Sequence, residues 1–131
     1  MGASAVPSRR RATAALSEAR AYRALWLVSL TSGECTIGDI ILAAASPGGE
    51  PLTRISLRTL IRSDPSLNWP RLEPRVQIVL RSMGWDSRQK RRWPTVGWLI
   101  DSRSTGARAA AFLDVIGAAH LTMDVPLHMS Q

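Results

Sequence analysis

Arginines and tryptophans carry most of the chemistry this chain can do, and they crowd into one stretch. Between Pro65 and Arg108 lie Trp69, Trp85, Trp93 and Trp98, together with Arg71, Arg75, Arg81, Arg88, Lys90, Arg91, Arg92, Arg103 and Arg108. Guanidinium groups are planar, permanently charged forks suited to bidentate contact with phosphate. Trp69 and Trp93 each precede a proline, which favours extended backbone and can present a ring to a sugar, a base or a minor groove. The competing reading is that tryptophans cover a small core, and we adopt it for Trp85 and Trp98. Catalytic chemistry is sparse by comparison. Cys35 is the single cysteine, so neither an intrachain disulfide nor a cysteine metal cluster can form. His120 and His128 flank Asp124, a spacing compatible with metal or acid–base work, but we read His120 as a packed helix residue and His128 as part of a tail. No phosphate-binding Gly-Lys loop, GxSxG or HExxH is present, and Gly48-Gly49 has no lysine after it. The expectation is a non-enzymatic protein with no cofactor, no metal and no small-molecule substrate.

The elements that must position these groups sit in a chain of 131 residues with net charge +7 and a pI of about 11.4. That length suits one domain, and such a charge draws a folded protein to polyanions, nucleic acid first and anionic membrane second. Lys90 is the only lysine, a bias that a GC-rich genome explains as readily as phosphate binding does. No apolar run approaches the ~18 residues of a membrane span, and Glu18, Arg20 and Arg23 interrupt any signal-like segment after Arg9 to Arg11. A cytoplasmic protein is expected, with residues 1–12 a flexible basic arm, 13–121 a single helical domain and 122–131 a loose tail.

The pattern within the domain is helical throughout. Residues 8–30 favour a long helix with Ala15, Ala19, Tyr22, Trp26 and Leu30 near one face and Arg20 and Arg23 on another, ended by Gly33. Thr36 is an N-cap with Asp39 three residues on, followed by Ile37, Ile40, Ile41 and Ala44 at core spacing. Ser46-Pro47-Gly48-Gly49 stops that helix. Between Ala24 and Leu52 the charges are Glu34, Asp39 and Glu50 with no cation, a local −3 that should face away from a polyanion. A third helix is expected over 53–62, with Leu57, Leu60 and Ile61 inward; Arg54, Arg58 and Arg62 recur every four residues outward, either as solvent cover or as a docking strip. Asp64-Pro65 and Asn68-Trp69-Pro70 are turn chemistry. Pro74 suits the first position of the next helix, whose Val76, Val79, Leu80 and Met83 form one face before Gly84 caps it. A helix starting there, flanked by Arg71 and Arg75, would seat a phosphate on its free N–H groups. Val96, Leu99 and Ile100 suggest a short helix, and Ala109, Phe112, Leu113, Ile116 and His120 a final one after a break at Ser104-Thr105-Gly106. Strand signals are almost absent, so the fold class is all-α: a long N-terminal helix, then a compact helical domain containing helix, turn, helix.

This order of signals resembles the actinobacterial integration host factor family, small monomeric nucleoid proteins. Gly33, Thr36, Ile37, Ile40 and Ile41 match its second element. Ile55, Leu57, Leu60, Ile61 and Pro65 match the helix entering its helix-two-turn-helix, and Val76, Gln77, Val79, Leu80 and Met83 the helix leaving it. Arg91-Arg92 and Val96-Gly97 are similar to the paired arginines and glycine that follow. The likeness covers roughly 15–97. It departs at the turn, where the family has a short glycine-containing segment and this chain has Pro65 to Pro74 without a glycine, so side chains of Trp69 and Arg71 must replace backbone contact. The resemblance implies a monomer that binds double-stranded DNA through its phosphate backbone with low sequence specificity, as an architectural or recombination accessory factor. The residues expected at DNA are Arg71 and Arg75 with Trp69, then Arg88, Lys90, Arg91 and Arg92, then Arg54 and Arg58, with Arg9, Arg10 and Arg11 on a neighbouring groove. Two other classes fit the residues: an RNA-binding helical module, and a small phage or plasmid regulator acting by binding another protein.

Overall fold

The computed structural model describes residues 5–86 and 92–124, with side-chain surroundings for 9–86 and 92–120. Among these the chain is all-α. Helix α1 spans Ala5–Thr31, α2 Ile37–Ala44, α3 Leu57–Ser63, α4 Trp69–Ser82, α5 Val96–Leu99 and α6 Ala107–Asp124; short 3-10 turns cover Glu50–Arg54 and Ser102–Ser104. The only β-type pairing among the described residues is an isolated antiparallel bridge between Ser56 and Thr95. No described helix is long and apolar enough to cross a membrane.

Several boundaries follow directly from local chemistry. At the end of α1, Gly33 takes a left-handed φ of +81°. Its N–H then donates to Leu30 O (3.2 Å) and that of Glu34 to Ser29 O (2.8 Å), closing the helix. Thr36 and Asp39 form a reciprocal box: Asp39 N–H donates to Thr36 Oγ1 at 3.1 Å and Thr36 N–H to Asp39 Oδ2 at 2.9 Å. Gly84, at φ +97°, ends α4 in the same way as Gly33 ends α1. The core is built from Leu30 of α1, Ile37 and Ile40 of α2, Leu57, Leu60 and Ile61 of α3, Val76 and Leu80 of α4, and Phe112 of α6, all essentially without solvent contact. Each such side chain contributes about 2 kcal/mol by burial. Among the described side chains of α1, the second half takes part, through Tyr22, Trp26, Leu27 and Leu30. Ala15 is exposed with the rest of 9–18, and the helix begins within the segment read as an arm.

Two expected elements start elsewhere. The helix expected over 53–62 is divided: Arg54 ends the 3-10 turn, Ile55 is extended (φ −71°, ψ 130°), and α3 begins after Ser56, whose Oγ accepts from Arg58 N–H at 3.2 Å. Long-range pairing causes the break, because Ile55 O accepts from Val96 N–H (2.9 Å) and Leu57 N–H donates to Pro94 O (3.0 Å). The three arginines therefore do not form one strip. Likewise α4 starts at Trp69, with Pro70 in its first turn and Pro74 inside it. An interior proline removes one helical bond and crowds the preceding turn. Here Pro74 is exposed, and Leu72 and Glu73 ahead of it are buried, so packing carries the helix through.

Candidate nucleic-acid interface

Starting α4 at Trp69 rearranges the expected site. The turn between α3 and α4 is only Asp64 to Asn68, and it is tied down. Asp64 Oδ1 accepts from Ser66 N–H (2.9 Å) and Ser66 Oγ–H (2.6 Å), Leu67 N–H donates to Asp64 O (3.2 Å), and Leu67 is buried. His120 of α6 reaches across to this turn, with Nε2 2.8 Å from Ser66 Oγ and 3.3 Å from Asp64 Oδ2. His120 is thus a clasp between α6 and the turn, a role its helix position did not reveal.

No phosphate seat of free amides exists at Pro74, which lies mid-helix. At the true start of α4 Pro70 has no N–H, and the N–H groups of Arg71 and Leu72 both donate to Asn68 O at 3.1 Å. Anion binding at this place must come from side chains.

Those side chains divide between the two faces of α4. Leu72, Glu73, Val76 and Leu80 point inward, while Arg71, Arg75, Ile78 and Arg81 are exposed. Among the described residues Arg71, Arg75 and Arg81 form no ion pair. Arg71 and Arg75 are one turn apart and Arg81 about 15 Å from Arg71 along the axis. Ile78 stands among them 66% exposed.

The inward side holds a charge cluster that sequence reasoning missed. Glu73, 8% exposed, accepts from Arg58 Nε–H at 3.1 Å and Arg62 Nε–H at 2.8 Å. Burial pushes its pKa up, but the bonds from Arg62 and Arg58 outweigh that and leave it below the usual glutamate value. Arg62 lies 4.1 Å over the Trp69 ring, and Arg58 lies 5.8 Å over Trp93. Arg58 is therefore occupied within the fold. The signal was available: Glu73 falls on the face of Val76 and Leu80 at i, i+3 and i+7, an acid where an apolar residue belongs, opposite two arginines.

The tryptophans also separate. Trp93 is 9% exposed and packs on Trp85 with ring centroids 6.0 Å apart, so of the two readings open for it, nucleic-acid contact or core, its ring belongs to the core. Trp69, in the first turn of α4, keeps 38% exposure. Trp85 and Trp98 pack against the core as expected. Among the other cations, Arg103 is held by Asp101 (2.8 Å), and Arg108 stacks on Trp98 (4.2 Å) while donating to its carbonyl (3.0 Å). Arg54 and Arg92 are exposed, as are Arg9, Arg10 and Arg11 on α1. Arg88, Lys90 and Arg91 lie outside the described residues. Among the described residues no three His, Cys, Asp or Glu side chains cluster in a way that could hold a metal ion.

No family model, curated protein or solved structure matches this chain.

Proposed function

We propose that this protein binds double-stranded DNA mainly through the phosphate backbone, with low sequence specificity, as an architectural, nucleoid-associated or recombination accessory factor of the kind that the actinobacterial integration host factor family represents. The observation that carries this reading is the outward face of α4. Arg58, Arg62, Arg103 and Arg108 are spent on Glu73, Asp101 or an indole, whereas among the described residues Arg71, Arg75 and Arg81 stand exposed without an ion pair. Cations so placed release condensed counterions when they meet phosphates, which supplies affinity without sequence information. Trp69 keeps partial exposure in the first turn of α4 beside Arg62, Arg54 and Arg92 add exposed charge elsewhere, and Arg9, Arg10 and Arg11 add more on α1. A single copy presents the whole face.

The test is a titration of two unrelated fluorescent duplexes across a range of salt, with wild type beside the Arg71→Ala/Arg75→Ala protein. Both duplexes should bind alike, with log K falling steeply against log[salt], and the double variant should flatten that slope by up to about 1.8, two contacts' worth. An unchanged slope removes the α4 face from the site. Structured RNA competing on equal terms at the same salt would replace DNA by RNA as the partner.

A further inference from the structure

A second surface lies where the chain carries no cation. The last two turns of α1 and the outer side of α2 enclose an open, mostly apolar groove of about 640 Å³, lined by Leu25, Trp26, Cys35 and Leu42, with Glu34 and Asp39 among its walls. Leu25 is 65% and Leu42 70% exposed, a costly display of large aliphatic side chains unless something covers them. The local charge of −3 excludes DNA as the cover.

The chain itself contains a segment of complementary chemistry. The N-terminal half of α1 is exposed throughout 9–18. Ala12, Ala15 and Leu16 of this segment and the half-buried Ala19 recur at i, i+3, i+4 and i+7, a narrow apolar stripe of mostly small residues that lets another helix approach closely. Arg9 and Arg20 border this stripe on one side of the helical wheel and Arg11 on the other, while Arg10 projects away from it. We propose that this half-helix docks in the groove of a second copy of the chain, with Leu16 against Leu25 and Leu42 and the bordering arginines against Glu34 and Asp39. It cannot dock within its own copy, because the groove's wall is the other half of the same continuous helix. Arg10 and the α4 face stay free, so each copy in the pair keeps its α4 basic surface. This inference does not rest on the DNA reading and is tested without DNA.

The lone Cys35 in the groove supplies the probe. In an Ala15→Cys protein the new thiol sits about 16 Å along the helix from Trp26, whose carbonyl lies 3.7 Å from the Cys35 sulfur, too far for a short bismaleimide to join the two thiols within one chain. Treatment should give covalent dimers, and peptide mass mapping should place the link between position 15 and Cys35. Adding Leu42→Glu, a change at an exposed site, should cut the dimer yield at least fivefold with unchanged circular dichroism, and an Arg75→Cys control should yield no more than that background. Sedimentation equilibrium of wild type at several hundred micromolar should show dimer that Leu42→Glu returns to monomer. Equal yields in the Ala15→Cys and Arg75→Cys proteins, links only between like positions, or a strictly monomeric wild type would each overturn the proposal.

Discussion

Replacing Glu73 by glutamine separates what this cluster does for the fold from what it withholds from a ligand. Glu73 accepts hydrogen bonds from two guanidinium groups. Charge-assisted bonds are worth about 1.5–3 kcal/mol each when dry. The Arg58 and Arg62 side chains are 46% and 40% exposed, so screening reduces each contact to roughly 0.5–1 kcal/mol. Glutamine keeps the shape and one acceptor, and Glu73→Gln should cost about 1–2 kcal/mol in all. For a domain of this size that lowers the melting temperature by roughly 4–8 °C. The same change releases Arg58 and Arg62 beside the exposed Trp69 and raises the net charge by one. DNA affinity at low salt should therefore rise, and the slope of log K against log[salt] should steepen by up to about 2. Thermal melting and salt titration on the same samples measure both. A variant that is less stable and binds DNA no better, with an unchanged slope, would refute the idea that Glu73 holds back cations next to the interface.

Further expectations follow from other residues. Because the folded Glu73 pKa lies below the ordinary 4.5, its stabilisation is fully present above that value and disappears as pH falls through the lower, folded pKa; Glu73→Gln should lack this part of the acid-unfolding profile. Asp101, held by the side-chain and backbone bonds of Arg103, titrates at about 2, and carboxyl NMR should show it returning towards 3.8 in Arg103→Ala. A Cβ at Gly49 would overlap the Ala43 carbonyl, so Gly49→Ala should lose about 3 kcal/mol in urea unfolding, where Gly117→Ala, with open space around it, should lose almost nothing. His120→Ala should cost about 1 kcal/mol by removing the clasp on Ser66, with faster amide exchange at Ser66 and Leu67 than in wild type.

How much of this was legible in the sequence depended on the range of the interaction. The helix ends at Gly33 and Gly84 and the Thr36–Asp39 box were readable because each is decided within six residues. The inward positions of Val76, Leu80, Phe112 and Ile116 were readable from spacing alone. The start of α4 was not. Pro74 fits a first helical turn by local rules, and only the burial of Leu72 and of Glu73 against α3 shows that the helix has already begun. The break at Ile55 was hidden for the same reason, since its cause is a hydrogen bond from Val96 more than forty residues away. In the candidate site, Arg71 and Arg75 could be picked out as cations beside a turn, whereas Arg81 and Ile78 join them only once the helix faces are known. The division of cations into spent and exposed ones required the partners Glu73, Asp101 and Trp98, which no periodicity reveals.

The most direct test of the central claim is an amide NMR titration of the uniformly labelled protein with a short duplex at moderate salt. The account predicts the largest shifts at Arg71, Arg75, Ile78 and Arg81, smaller ones at Trp69, and none around Leu25, Glu34 and Leu42. Shifts concentrated on α2 and the end of α1, or no saturable shifts at any residue of α4, would contradict it.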